Sequence, residues 1–138
     1  MTPRDMAAIA AVHRAACLVA YRFMAWDYPL DQIEAWYAGK FPGWDHARVA
    51  TCNGRVVGYL GAAGGLLDDL FVDPAHHRRG IGRTLLQGQL DRGIRPVTLE
   101  VFEENAPARR LYETFGFIVS ERFFNALDGA WELRCSLA

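Results

Sequence analysis

An α/β fold is expected for this chain, with a mixed sheet (α+β in layout) and helices lying on its faces. Three features point to it. Helical periodicity in the N-terminal segments gives way at Arg48 to the two-residue period of strands. Two later stretches return to helical spacing, each after an apolar strand-like run and each stopped by a glycine, Gly93 and Gly116. The resulting order is α-α-β-β-β-α-β-α-β-β, without repeat, linker or low-complexity stretch. At 138 residues the chain suits one domain over residues 1–138 and is long enough to bury a proper core.

Each element has its own signal. Ile9, Val12, Ala16, Val19 and Phe23 recur at three- and four-residue steps, which predicts a helix over about Thr2 to Phe23, with Asp5 as cap or first-turn acid. A second short helix is expected from Leu30 to Ala38, after Pro29, with Gly39 and Phe41-Pro42-Gly43 ending it. Arg48–Cys52 and Arg55–Ala62 flank Asn53-Gly54, a two-residue hairpin signal. The apolar run Leu66–Val72 ends at Asp73-Pro74. A helix carrying Ile81, Leu85, Leu86 and Leu90 inward follows Gly82. Val97, Leu99 and Val101 alternate with Thr98, Glu100 and Phe102 in the next strand. A helix over Ala106 to Phe115 has Asn105 as N-cap and Gly116 as stop. Residues 117–126 and 130–137 form a closing hairpin that turns at Asp128-Gly129.

Composition removes several function classes. Apolar residues are 51%, charged residues 22% and the formal net charge is −1, without a run of like charges. A general nucleic-acid or membrane-surface binder concentrates positive charge, so neither partner is expected. Lys40 is the only lysine. Cys17, Cys52 and Cys135 form no CxxC pair and no Cys/His metal spacing, so a reduced chain without a metal is expected, each thiol serving as a small hydrophobe. With neither signal-peptide pattern nor apolar run of spanning length, a cytoplasmic location is expected, as monomer or homodimer.

The first chemical constellation is the turn from Pro74 to Arg83, between a buried strand and a helix. A helix start exposes unpaired N–H groups and the positive end of the dipole, which suits an anion. Gly80 and Gly82 let backbone approach a phosphate without an intervening Cβ, and Arg78, Arg79 and Arg83 add charge. A tight turn with a solvated basic rim is the plainer alternative. A P-loop needs Gly-Lys-Ser/Thr, and this turn has no lysine. A dinucleotide fingerprint needs a third glycine where Leu85 stands, and the chain has no room for a second mononucleotide half.

The second constellation is Asn105, Ala108, Tyr112 and Gly116-Phe117, after the strand that carries Glu100. Ala108 and Tyr112 share a helix face, and the small residue leaves space beside the ring. The phenol can donate a proton while its ring packs against apolar surface. Taken alone, a boundary tyrosine on an amphipathic helix is the simpler explanation.

Together the two constellations resemble the GCN5-related N-acetyltransferase (GNAT) superfamily. The central motif is similar in Leu70-Phe71-Val72-Asp73-Pro74 followed by His77-Arg78-Arg79-Gly80-Ile81-Gly82, and the next in Leu99-Glu100-Val101 with Asn105, Ala108, Tyr112 and Gly116-Phe117. The likeness covers residues 46–126 well and the N-terminal helices loosely. It departs in two places. His77 stands where Gln or Arg is usual, at a position that acts largely through its backbone. The strand that normally precedes the first helix is missing or very short.

The resemblance implies a GNAT-like acyl-CoA N-acyltransferase fold whose central strands splay, and acetyl-CoA as co-substrate. The pantetheine arm is expected along Leu70, Phe71 and Val72, with the pyrophosphate on Arg78, Arg79, Gly80, Ile81, Gly82, Arg83 and Thr84. The N–H of Val72 is expected to polarise the thioester carbonyl, and Asn105 and Ala108 to flank the CoA arm. Tyr112 is assigned as the acid for the departing thiolate. Glu100 matches a catalytic glutamate in the ribosomal-protein branch of the family, with Asp69 and Asp68 as competing bases. Glu100 also reads as a plain sheet residue bonded to backbone. Adjacent strand residues point to opposite faces, so only one of Asp68 and Asp69 is expected to face the substrate.

The acceptor implied is a primary amine of a small molecule, amino acid or peptide. Tyr21, Trp26, Tyr28, Trp36, Phe123 and Phe124 read either as an aromatic acceptor pocket or, more simply, as packing. His13 and His46 read as local hydrogen-bonders. No acidic patch is visible along the chain, which disfavours a strongly cationic acceptor. A non-catalytic CoA-binding or sensing module, and an interaction domain that keeps only the fold, are the alternatives.

Overall fold

The computed structural model describes residues 1–138. Four helices, α1 (Met6–Ala20), α2 (Leu30–Lys40), α3 (Ile81–Leu90) and α4 (Ala106–Thr114), accompany six strands. The strands are β1 (His46–Cys52), β2 (Arg55–Ala63), β3 (Leu66–Val72), β4 (Val97–Phe102), β5 (Ile118–Asn125) and β6 (Ala130–Leu137), and the element order is the expected one. They form one mixed sheet in the order β1-β2-β3-β4-β6-β5. Within residues 1–138 the first strand comes after α2, and no helix is long and apolar enough to cross a membrane.

Alternation along the strands divides the core in two. Leu60, Ala62, Leu67, Leu99 and Leu133 pack under α3 and α4 with Leu86, Leu90 and Tyr112. On the opposite face Tyr59 packs with Ile9 and Val12 of α1 and Ile33 and Tyr37 of α2.

The feature that positions the site is the junction of β3 and β4. These strands run parallel and pair only at Leu66↔Thr98, whereas β4 and β6 stay in register from Val97↔Leu137 to Phe102↔Glu132. Beyond Leu66 the two central strands diverge, as the sheet was expected to do. Asp73 N–H donates to Val57 O, so the antiparallel alternation turns the N–H groups of Leu70 and Val72 away from β2, toward the gap.

Four local expectations need correction. Helix α1 stops at Ala20, not Phe23, because Tyr21 leaves helical geometry and the chain turns Tyr21 and Phe23 edge-on against Phe102 of β4. Asp5 holds the α1 N-cap position and is the first-turn acid expected, but its carboxylate accepts from Thr2 N–H at 2.7 Å and bonds to no N–H of α1. Helix α2 runs through Gly39 to Lys40 and gives way to the Phe41–Gly43 turn, where Pro42 cannot continue it.

The fourth concerns Asp68 and Asp69. Gly61 pairs with Asp69 while Ala62 pairs with Leu67, so Asp68 is the extra residue of a β-bulge in β3. The bulge cancels one alternation. Both carboxylates therefore emerge on the α1/α2 face, and Lys40 Nζ reaches Asp69 at 2.8 Å and Asp68 at 3.6 Å.

Candidate active site

The gap between β3 and β4 opens into a cavity of about 280 Å³ on the α1/α2 side of the sheet. It is lined by Asp69, Leu70 and Phe71 from β3, Glu100 from β4, and Asn105, Ala108 and Tyr112 from the start of α4. Seven of the residues singled out in the sequence thus meet in one place. Their strands bring them there because Glu100 and Phe102 alternate with the buried Leu99 and Val101, and so face away from α3 and α4.

Tyr112 is held by two features. Asn105 accepts from the Ala108 N–H at 3.4 Å and starts α4 beside the cavity, so its cap is structural as well as cavity-lining. Phe117 packs edge-on to the Tyr112 ring at 5.7 Å. The ring is buried, yet its hydroxyl takes no hydrogen bond from the chain. Burial and the nearby Asp69 charge push its pKa well up, so the phenol keeps its proton throughout the neutral range.

The carboxylates differ in their surroundings. Asp69 is 9% exposed, and burial pushes its pKa up to about 6 although Lys40 draws it down. Glu100 is half exposed and takes Arg134 Nη2 at 3.0 Å, its register partner on β6, so its bond is to a guanidinium and not to backbone. Asp68 accepts from Trp44 Nε1 at 2.9 Å.

The turn before α3 lies outside this cavity. Gly80 caps α3 at φ 76°, a left-handed value that glycine adopts without strain, and Arg78 is held at φ 64°. The first helical bond runs from Thr84 N–H to the Gly80 carbonyl at 3.0 Å, to which Thr84 Oγ1 also donates, so the N–H groups of Ile81, Gly82 and Arg83 have no helical acceptors. Arg78, Arg79 and Arg83 are exposed and none is bound to a carboxylate; Arg83 lies over the Phe115 ring at 5.5 Å. A shallow depression bordered by Arg83, Thr84, Gln87 and Phe115 adjoins the turn. Val72 stands between turn and cavity, and its carbonyl lies 3.1 Å from His77 Nε2, so His77 contributes a side chain here and not only backbone. These donors, free cations and open backbone fit a pyrophosphate, and the undonated Tyr112 hydroxyl fits a ligand in the gap.

The structure divides the six aromatics that read as acceptor pocket or packing. Tyr21 and Trp26 line the cavity, whereas Tyr28 and Trp36 pair with each other and Phe123 and Phe124 pack on the last hairpin. His13 also lines it, with Nδ1 3.0 Å from Tyr59 Oη and 2.6 Å from Tyr37 Oη, and burial followed by the Lys40 charge lowers its pKa to about 4. It is a neutral hydrogen-bonder at pH 7. Glu132 of β6 is the fourth cavity carboxylate, and with Asp68, Asp69 and Glu100 it makes an acidic wall that no stretch of sequence displays. The cysteines are all free, and burial raises the Cys17 thiol, which removes it as a thiolate nucleophile. No group of His, Cys, Asp and Glu is arranged to hold a metal ion.

The site thus combines a splayed parallel strand pair, an arginine-rich glycine turn at a helix start and a tyrosine beside the gap. Residues 16–117 match the acetyltransferase (GNAT) family, and the chain belongs to it. It is 37% identical over 70 residues to the [ribosomal protein bS18]-alanine N-acetyltransferase of Escherichia coli K12, a match covering 46% of this chain. The chain spans about half of that relative, 47% of its length. It is 36% identical over 102 residues to a mycothiol acetyltransferase of Thermomonospora curvata, covering 66% of this chain and 32% of that one. The fold matches yncA from Salmonella typhimurium, solved with its cofactor acetyl-CoA, at TM-score 0.74 and 23% identity, over 99% of this chain and 90% of that one.

Proposed function

We propose that this chain is an acetyl-CoA-dependent N-acetyltransferase, moving the acetyl group to a primary amine of a small molecule, amino acid or peptide by direct attack. The observation that carries the reading is the buried Tyr112 hydroxyl, proton-bearing and without a partner, beside two carboxylates at a strand gap. Family membership supports the donor, and the named relatives act on a ribosomal protein and on mycothiol, which leaves protein and small-molecule acceptors open.

In this reading the turn from Arg78 to Thr84 takes the pyrophosphate through free N–H groups and guanidinium charge. Leu70, Phe71 and Val72 offer the strand edge to the pantetheine arm as an added strand, and a gap-facing N–H of Leu70 or Val72 polarises the thioester carbonyl. Acetyl-CoA supplies the activated acyl group. An alkylamine with pKa on the order of 10 gives up a proton before it attacks, and Asp69 or Glu100 takes it directly or through water. The amine adds to the thioester carbonyl to form a tetrahedral intermediate, the C–S bond breaks as that intermediate collapses, and Tyr112 donates its proton to the leaving thiolate. The proton lost from the acylated nitrogen returns to solvent, and Tyr112 is reprotonated.

Free-thiol release from acetyl-CoA across an amine panel tests the reading, together with thermal shift in CoA. Saturation at 100 times Kd is expected to stabilise the fold by about 2.7 kcal/mol. A shift without thiol release from any amine leaves a CoA-binding module, and absence of any shift removes CoA altogether.

A further inference from the structure

Four carboxylates line the cavity, and three of them contact a cation. Asp68 and Asp69 share the single charge of Lys40, and Glu100 shares Arg134 with Glu121. Glu132 forms no ion pair, and its one side-chain partner is Asn125 Nδ2 at 2.9 Å. It stands directly opposite Phe102 in the β4–β6 register, on the face that carries the site. Tyr21 packs edge-on to Phe102 at 4.9 Å, and Trp26 lies 6.4 Å from Tyr21. Three aromatic rings and a half-buried, uncompensated carboxylate thus border the same cavity as the unpartnered Tyr112 hydroxyl.

That combination has a defined complement. A carboxylate removed from water without a cation is costly, and aromatic faces attract positive charge where solvent is excluded. An ammonium or guanidinium group satisfies both at once. A neutral acceptor leaves Glu132 uncompensated, and an anionic one meets four carboxylates. The net charge of −1 concealed this arrangement, because the acidic residues come from three strands separated along the chain.

We infer that the acceptor is a dicationic amine, whose reacting amino group faces Tyr112 while a second positive charge docks on Glu132 among Tyr21, Trp26 and Phe102. The inference rests on the acetyltransferase reading above and narrows it to diamines and amines bearing a basic side chain. Burial raises the Glu132 pKa first, and the Glu100 and Asp128 charges add to it against the lowering by the Asn125 hydrogen bond and the Arg134 charge, so the site still gains from an incoming cation.

The test compares putrescine and cadaverine with n-butylamine and n-pentylamine, matched in length but lacking the second charge. For the wild-type protein kcat/KM is expected to be at least about tenfold higher for one of the diamines than for its matched monoamine, expressed mainly in KM. Glu132→Gln keeps an acceptor for Asn125 and is expected to reduce that ratio about tenfold, with Glu132→Asp intermediate. Calorimetric titration of the same diamines into the CoA-bound protein reads the docking step without turnover, and Glu132→Gln is expected to weaken it by a similar factor. Equal kcat/KM for diamine and monoamine, or equal loss of both in Glu132→Gln, overturns the inference while thiol release keeps the acetyltransferase reading. Diamine binding that depends on Glu132 without thiol release keeps the cation site and overturns that reading instead.

Discussion

Lys40 Nζ lies 2.8 Å from the Asp69 carboxylate, so the only lysine of the chain ties the last turn of α2 to the bulged strand beside the cavity. The pair joins the outer helical layer to the strand that borders the gap. Asp69 is 9% exposed while the Lys40 side chain is 41% exposed, so the carboxylate depends on the ammonium more than the reverse.

Lys40→Met is therefore expected to lower stability at pH 7 by about 2 kcal/mol, below the ~3–5 kcal/mol of a fully buried pair because the lysine is partly solvated. The deficit should shrink below pH 6, where Asp69 is protonated. Adding Asp69→Asn should restore much of the loss. Denaturant titration at pH 5 and 7 checks it, and a single-variant penalty that does not change with pH would sink the assignment.

Much of this architecture was readable because its signals are local. Leu66–Val72 and the Asn53-Gly54 hairpin coincide with observed elements, and Asn105 caps α4 as its position suggested. What stayed hidden depends on pairing between distant segments. The bulge at Asp68 arises from its register with Gly61, and the placement of Glu132 opposite Phe102 needs the β4–β6 ladder. Lys40 lies beyond a glycine that looked like a helix stop, and its ion pair with β3 becomes visible only once α2 and β3 stand side by side.

Gly65 sets the closed end of the splay. A Cβ placed there comes within 2.3 Å of the Pro96 carbonyl oxygen, and the Gly65 carbonyl accepts from Thr98 N–H at 2.9 Å. The obstructing atom is backbone and cannot rotate aside. Gly65→Ala is expected to cost about 2–3 kcal/mol and to lower CoA affinity, since Leu66↔Thr98 is the one pair joining β3 to β4. Gly88→Ala, in open space on α3, serves as the control and should be neutral or stabilising. Melting temperatures with and without CoA decide it.

Two buried groups should give stability opposing pH slopes. His13 falls from 6.5 to about 4, chiefly through burial, so between those values the unfolded chain binds a proton that the native one refuses. Its contribution therefore rises with pH over about 4 to 6.5 and is lost as pH falls. Asp69 rises from 3.8 to about 6, again through burial first, so the native chain holds a proton that the unfolded one releases, and its contribution falls with pH across that window. The two should nearly cancel. Wild-type stability is expected to be flat between pH 4 and 6, to rise with pH in Asp69→Asn and to fall with pH in His13→Asn, as measured by urea unfolding. Parallel slopes in all three proteins would remove both assignments.

In the proposed reaction the acid and the base can be tested separately. Tyr112→Phe removes a hydroxyl that bonds to nothing in the chain, so the apo melting temperature and the CoA-induced shift should stay near wild type. Its kcat should fall by about 10²–10⁴-fold, the range for loss of a general acid. An undiminished rate would take Tyr112 out of the reaction. For the base, free amine alone makes log kcat/KM climb with unit slope up to its pKa of about 10. If Asp69 takes the proton from the bound ammonium, log kcat/KM instead climbs with unit slope only below pH 6 and is level from there to the amine pKa, with a break near pH 6. Asp69→Asn should then abolish both the break and most of the rate, while Glu100→Gln leaves the break in place. A break near pH 6 that survives in Asp69→Asn transfers the role to Glu100 or to water.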